Sequence, residues 1–265
     1  MRYHFQSHYL DCPLQVGRVF DVFEPESITK DVAVFIVHGG GWRAGSRASF
    51  HRIMEALNQR GYLTASTDYR LNAKDAFEQL RDIREAYDRF VTLLKEKHRP
   101  LRIAVYGESA GAHLASLLLC AQPGECGEEP VLSNDWVSPS MGILQATPCD
   151  FLHWEGMIPA FWSTMQDIAG APYEQDPERY ERLSLKNYIR SSNPPIFFME
   201  AELEHLFLSE HTLQIAKKHR QIGIPSHWKV YEKVEHGFFY ELKRKRQLEA
   251  FEDICLFLDG KLKTF

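Results

Sequence analysis

The sequence predicts an α/β fold, with about eight strands in a mostly parallel sheet, flanking helices and a small lid insertion. Two observations carry that expectation. From residue 32 onward, short segments rich in β-branched and aromatic residues alternate with stretches whose apolar residues recur every three or four positions. Each helical stretch brings the chain back through a right-handed crossover, which makes the strands it joins parallel. The first two strand-like segments have no helical pattern between them and are expected to pair antiparallel.

Strands are expected near 3–10, 16–24, 32–37, 62–67, 101–106, 141–146, 195–200 and 227–232. The clearest helix is 75–97. There Phe77, Leu80, Ile83, Ala86, Tyr87, Phe90 and Leu94 form one apolar stripe, and Pro100 stands just beyond the end. That stripe belongs against the sheet. Residues 121–140 hold Pro123, Gly124, Gly127, Pro130 and Pro139 and read as a loop. Residues 147–193 gather Phe151, Trp154, Met157, Phe161, Trp162 and Met165 without strand alternation, a pattern that fits a lid and packed core equally. The expected organisation is a single domain over 1–265, with 121–193 as its loop and lid region; no internal repeat or low-complexity tract interrupts it.

At 265 residues, 44% of them hydrophobic and 25% charged, the chain is long enough to bury a large core and too apolar for a disordered segment. Its 31 Lys+Arg against 36 Asp+Glu give a formal charge of −5, which leaves no electrostatic footprint for nucleic acid. No apolar run approaches the roughly 18 residues of a membrane span, and the segment MRYHFQSHYLDC lacks the apolar centre of a secretory signal. A cytoplasmic location is the expectation. The five cysteines (Cys12, Cys120, Cys126, Cys149 and Cys255) are odd in number and form no CxxC pair, so free thiols are expected in a reducing compartment. Nothing in the sequence specifies an oligomeric state.

The chemistry concentrates in two glycine motifs. Leu101–Tyr106 reads as a strand, followed by Gly107-Glu108-Ser109-Ala110-Gly111 and the helical run Ala112-His113-Leu114-Ala115. A G-x-S-x-G sequence between a strand and a helix sets its serine on a tight, strained turn with the hydroxyl above the sheet, and only small residues on either side leave room for that turn. The competing reading is a glycine-rich connection without chemistry. The helix that follows points the positive end of its dipole at any developing oxyanion. Upstream, the strand Val34-Phe35-Ile36-Val37 runs into His38-Gly39-Gly40-Gly41-Trp42. Consecutive glycines let main-chain N–H groups approach a small anion closely. A phosphate loop would need G-x-G-x-x-G or G-x-x-x-x-G-K-[ST], and neither is present.

With both motifs, the chain resembles the HGGG-containing esterases of the α/β-hydrolase superfamily, related to hormone-sensitive lipase, together with kynurenine formamidases and feruloyl or acetylxylan esterases. The likeness runs from about residue 30 to 250. It implies that Gly40, Gly41 and the N–H of Ala110 form an oxyanion hole around Ser109. Asp68-Tyr69-Arg70 looks like the family's DYR segment, whose role is structural.

A serine hydroxyl needs a base, and His236 in Glu235-His236-Gly237-Phe238-Phe239 follows the strand His227–Glu232 and resembles the family's HGF. Of the chain's twelve histidines, His113 is expected to stabilise packing and His38 to brace its own loop. The third member is a carboxylate that holds the imidazole tautomer. The family pattern G-x-x-D falls on Glu204, with Ala201 in the glycine position and Glu in place of Asp. Glu202 and Asp150 are the alternatives. The order Ser109, Glu204, His236 agrees with that of the fold.

The reading at this stage is a serine hydrolase cleaving a small carboxylic ester through an acyl-enzyme, with no metal or organic cofactor required. Trp42, Trp154, Phe161 and Trp162 are expected to line the substrate. An arylformamidase is the alternative within the fold, since the same site cleaves a small activated amide. A catalytically silent binding protein is the alternative outside enzymology.

Overall fold

In the computed structural model, which describes residues 3–10 and 17–263, the chain opens with the expected antiparallel pair, β1 (Tyr3–Tyr9) and β2 (Val19–Pro25). Residue 16 of the expected second strand, and Cys12, lie outside the described residues. The remaining elements alternate as β3 (Val32–Val37), α1 (His51–Gln59), β4 (Leu63–Thr67), α2 (Ala76–Glu96), β5 (Arg102–Glu108), α3 (Ala110–Cys120), β6 (Met141–Gln145), α4 (Pro159–Ala169), α5 (Pro177–Leu183), β7 (Ile196–Leu203), α6 (Ser209–Gln221), β8 (His227–Glu235) and α7 (Lys245–Leu258). They build an eight-stranded sheet in the order β1-β2-β4-β3-β5-β6-β7-β8. Strands from β4 to β8 run parallel, and β2 joins them antiparallel through β4.

Alternation along the central strands divides the core into two layers. Ala33, Phe35 and Val37 of β3, with Ile103 and Val105 of β5, face the layer covered by α2 and α3. Val32, Val34 and Ile36, with Ala104 and Tyr106, face α1 and α7. A strand buried on both faces has no polar side to show, which is why VAVFIV reads as an unbroken apolar run. Helix α2 lays Leu80, Ile83, Tyr87 and Phe90 on the first layer, as its stripe requires. Asp75 caps it by accepting from the Glu78 N–H at 3.0 Å, worth about 1 kcal/mol.

Four strands outrun their expected ends, β2 by one residue, β5 by two, to Glu108, and β7 and β8 by three each. β7 reaches Leu203 and β8 reaches Glu235, because the pairing continues past an irregularity between Ala201 and Leu203. Charged residues there read as loop in sequence, yet the Glu202 carboxylate accepts from the Lys233 N–H at 2.7 Å, where Lys233 adopts φ 58°. The extension carries Glu204 and His236, each the first residue after its strand, to the same end of the sheet.

Residues 121–140 form the expected loop. Between 147 and 193 the chain forms α4, α5 and a short turn of helix, and it sends Phe151, Met165, Ile168, Tyr180 and Leu183 into the same core as α2 and α3. Cys120, Cys126, Cys149 and Cys255 are free and buried. Among the described residues no helix is long and apolar enough to cross a membrane.

Candidate active site

The turn between β5 and α3 places Ser109 at φ 51° and ψ −121°. That conformation costs a non-glycine residue about 1–3 kcal/mol and persists only where the surroundings over-determine it. They do so here. The Ser109 N–H donates to the Gln145 carbonyl of the neighbouring strand at 2.9 Å, and the Ser109 carbonyl accepts from His113 at 3.0 Å. A Cβ on Gly107 would stand 2.5 Å from the Gly111 oxygen and 2.6 Å from Ala112 Cα. A Cβ on Gly111 would overlap the main-chain oxygens of Val37 and His38. Both glycines are therefore required by close approach of backbone, one to close the turn and one to dock α3 on β3.

Ser109, His236 and Glu204 come together across 127 and 32 residues of sequence. The Ser109 hydroxyl lies 3.1 Å from His236 Nε2, and His236 Nδ1–H donates to Glu204 Oε2 at 2.6 Å. Glu204 Oε1 in turn accepts the N–H groups of His205 (3.0 Å) and Leu206 (2.8 Å), which fix the carboxylate plane. Burial pushes the Glu204 carboxyl up, but the His236 bond and these two N–H donors prevail and hold it below the usual carboxylate value. Burial likewise opposes charge on His236, and the Glu204 bond with the nearby Glu108 charge overcomes it, raising the imidazole above its ordinary value. The other two candidate acids are engaged elsewhere. Glu202 is exposed and holds Lys233, while Asp150 takes Lys186 Nζ at 2.9 Å.

The glycine loop lies beside this relay. Gly40 takes φ 115° and Gly41 φ 56°, both in the left-handed half of the map, and the Gly40 carbonyl closes the turn by accepting from Ala44 at 2.9 Å. A side chain at residue 40 would run into the Ala44 main chain. The Ala110 N–H opens α3 and has no carbonyl one turn earlier to reach. The loop is braced as the sequence suggested. His38 Nδ1–H donates to the Gly39 carbonyl at 2.7 Å, its ring stacks on Tyr69 at 4.5 Å, and the Tyr69 hydroxyl donates to the His38 carbonyl at 3.1 Å. Burial lowers His38, so the brace is neutral. In the same segment Arg70 pairs with the buried Asp82 at 2.8 Å.

His113 is buried and pushed down to about 4. It accepts from Trp42 Nε1 at Nδ1 (3.2 Å) and donates from Nε2 to the Leu183 carbonyl (2.8 Å). Trp42 itself is 1% exposed and packs beneath the loop against Phe151. Phe161 and Trp154 are half-buried and belong to a series of ring contacts that ends on the histidine: Trp154 to Phe161 at 6.1 Å, Phe161 to Phe207 at 4.9 Å, and Phe207 to His236 at 5.4 Å. Trp162 packs instead with His153, Tyr173 and Tyr180.

Three neighbours of the relay have no motif to announce them in sequence. Phe207 lies over His236, and the buried Glu108 beside it accepts from the Tyr240 hydroxyl. Glu108 occupies an unspecified position of G-x-S-x-G, and the weak signal available was a charged residue at the end of an apolar strand.

This sheet order, with a strained serine after β5 and a histidine after the last strand, defines the α/β-hydrolase fold. Within it the chain belongs to the BD-FAE family, whose model matches residues 20–218. The chain is 23% identical over 275 residues to a probable isoprenylcysteine alpha-carbonyl methylesterase of Arabidopsis thaliana, covering 97% of this chain and 58% of that protein. It is 31% identical over 103 residues to the kynurenine formamidase of Drosophila melanogaster, covering 38% of this chain and 34% of that one. It thus spans between a third and three-fifths of the length of these relatives. Among solved structures, esterase B of Lactobacillus rhamnosis superposes with a TM-score of 0.81 at 16% identity, over 98% of this chain and 86% of that one. Esterase 2 of Thermogutta terrifontis, with propionate bound, gives 0.76 at 21% identity, over 98% and 96%.

Proposed function

We propose that the protein is a serine hydrolase that cleaves a small carboxylic ester through an acyl-enzyme. The observation that carries this reading is the hydrogen-bonded series from Ser109 through His236 to Glu204, at 3.1 and 2.6 Å. His236 Nε2 takes the Ser109 proton as Oγ attacks the ester carbonyl, and Glu204 holds the second ring proton on Nδ1 so that Nε2 is the free base. The N–H groups of Gly40, Gly41 and Ala110 receive the oxyanion of the tetrahedral intermediate. His236 then protonates the departing alcohol. In the second half it activates water, which releases the acid and restores Ser109. Phe207, Phe161 and Trp154 give the substrate an apolar wall beside the histidine, and the segment from Phe151 to Leu183 limits its size from above. The four buried free thiols suit a reducing compartment, in keeping with a cytoplasmic enzyme.

Support comes from the neighbours in this fold, one of which, esterase 2 of Thermogutta terrifontis, is phosphonylated by sarin. The test is Ser109→Ala. It should abolish both p-nitrophenyl acetate hydrolysis and labelling by a fluorophosphonate while leaving the thermal transition in place. Retained hydrolysis would remove the proposal, and a wild-type protein that neither hydrolyses nor labels would be the silent binding protein.

A second reading is amide cleavage on an aryl formamide. It is favoured by the local match to the fly kynurenine formamidase and by the aromatic wall, which suits an aromatic leaving group. Comparing kcat/KM on N-formylkynurenine and p-nitrophenyl acetate separates the two.

A further inference from the structure

Glu108, the residue before Ser109, is a carboxylate that the reaction above leaves without a task. Its side chain is 2% exposed and sits where three segments of the site meet. Towards the glycine loop, a Cβ on Gly39 would collide with the Glu108 carboxylate and main-chain oxygen, so residue 39 is a glycine to make room for it. Towards the histidine loop, the Tyr240 hydroxyl donates to Oε2, and a Cβ on Gly237 would touch Oε1 at 3.6 Å. Between these contacts Oε1 lies 3.8 Å from His236 Nε2, the nitrogen that faces Ser109. Glu204 bonds the other ring nitrogen. The imidazole therefore stands between two carboxylates.

We propose that Glu108 is a positioning residue for the hydrolytic reaction: it ties the histidine loop to the serine turn through Tyr240 and supplies a second negative charge that favours the imidazolium form of His236. The inference rests on the serine-hydrolase reading. Charge appears on the ring when Nε2 takes the Ser109 proton and vanishes when the proton passes to the leaving alcohol. At 3.8 Å, Oε1 is too distant to hydrogen-bond Nε2 and so does not compete with Ser109 for it, yet it is close enough to stabilise the transient cation electrostatically.

The titratable groups that face this pair are Glu204 after β7, Tyr240 after β8, Tyr69 after β4 and Tyr106 on β5. Burial raises all three tyrosines, which stay neutral. Burial also raises Glu108, with Glu204 adding to it, while the Tyr240 bond and the charge on His236 act against it. Ionised Glu108 and protonated His236 therefore reinforce one another.

A strut could be an amide as well as an acid, which gives the test. Glu108→Gln keeps the shape and can still accept from Tyr240, but it removes the charge. In kcat/KM against pH on p-nitrophenyl acetate, the acid limb should move about one unit lower and the plateau should fall about tenfold. A lowered plateau with an unmoved limb means a strut alone and overturns the proposal. Tyr240→Phe keeps its ring against Phe50 and the carboxylate, and it should move the limb in the same direction by less. If Glu108→Gln does not fold, an unmoved limb in folded Tyr240→Phe overturns the proposal equally. Fluorophosphonate labelling of the wild type at Ser109 reports separately on the hydrolase reading: if labelling and hydrolysis are both absent, that reading falls and takes this one with it.

Discussion

Glu204→Gln is the perturbation whose outcome the geometry constrains most tightly. The carboxylate accepts three bonds: Oε1 takes the N–H groups of His205 and Leu206, and Oε2 takes His236 Nδ1–H. A carboxamide offers one accepting oxygen and one donating NH₂. If the oxygen keeps the two main-chain donors, the NH₂ faces Nδ1, and His236 must carry its proton on Nε2, where it can no longer take one from Ser109. Turning the amide over restores the tautomer but sets an NH₂ against two N–H donors. Leaving two donors unpaired costs about 2–6 kcal/mol at 1–3 kcal/mol each, so the unproductive tautomer is favoured. The loss expected of a triad held in the wrong tautomer is about 10⁴ in kcat, or about 5.4 kcal/mol. The assay is p-nitrophenyl acetate hydrolysis with the thermal transition recorded beside it, using Glu202→Gln and Asp150→Asn as controls that retain activity. A folded Glu204→Gln enzyme with more than a tenth of wild-type kcat would refute the argument. So would Asp150→Asn reproducing the loss.

Three further outcomes follow from the same structure. Because the Glu204 and Glu108 charges overcome burial and raise His236, wild-type kcat/KM should fall on the acid side with a midpoint above the roughly 6.5 of ordinary imidazole; a midpoint below that value would contradict the assigned environment. Gly111→Ala drives a methyl into the Val37 and His38 main chain, and it should cost about 3 kcal/mol and lower Tm by about 6 °C, read by calorimetry against Gly260→Ala, which meets open space and bears only the roughly 1–2 kcal/mol strain of its left-handed φ of 68°. Glu200 is fully buried and pushed up to about 8, by burial first and by Glu204 second, with the Thr212 bond opposing. Its folded-state value lies above the unfolded one, so its contribution to stability is full below about 4.3 and declines as pH rises towards 8. Glu200→Gln should therefore raise Tm more at pH 8 than at pH 5, and an equal change at both would show that the carboxyl is charged in the folded protein.

What could be read in the sequence was whatever local geometry forces on local residues. VAVFIV has no polar face because the strand has no wet face, the stripe of α2 follows from its helical period, and Gly107 is demanded by a turn that closes within five residues, whereas Gly111, legible as part of the motif, is required by the approach of the Val37 and His38 main chain. Glu204 was harder, since the acid role proposed for it depends on a partner 32 residues away and on a strand that runs on past its apolar stretch. Phe207, Glu108 and Tyr240 were out of reach, because each makes its contact only after β5, β6, β7 and β8 are assembled in one sheet. Of the four aromatics expected at the substrate, Trp154 and Phe161 join the rings that end on His236, the buried Trp42 stacks on Phe161 at 6.4 Å from beneath the loop, and Trp162 packs away from them. Composition marked all four alike, and only packing distinguishes them.

His113 has a consequence for motion. Buried and neutral, its ring has a single mobile proton, spent on the Leu183 carbonyl, and a single lone pair, spent on the Trp42 indole. The segment ending at Leu183 and the glycine loop carrying Trp42 are thereby fastened to one imidazole on the helix that opens after Ser109. If that segment shifts at Leu183, the ring must find a new acceptor or strand its proton in an apolar interior. That segment and the glycine loop are thus coupled through one ring, and a change that loosens one is felt by the other.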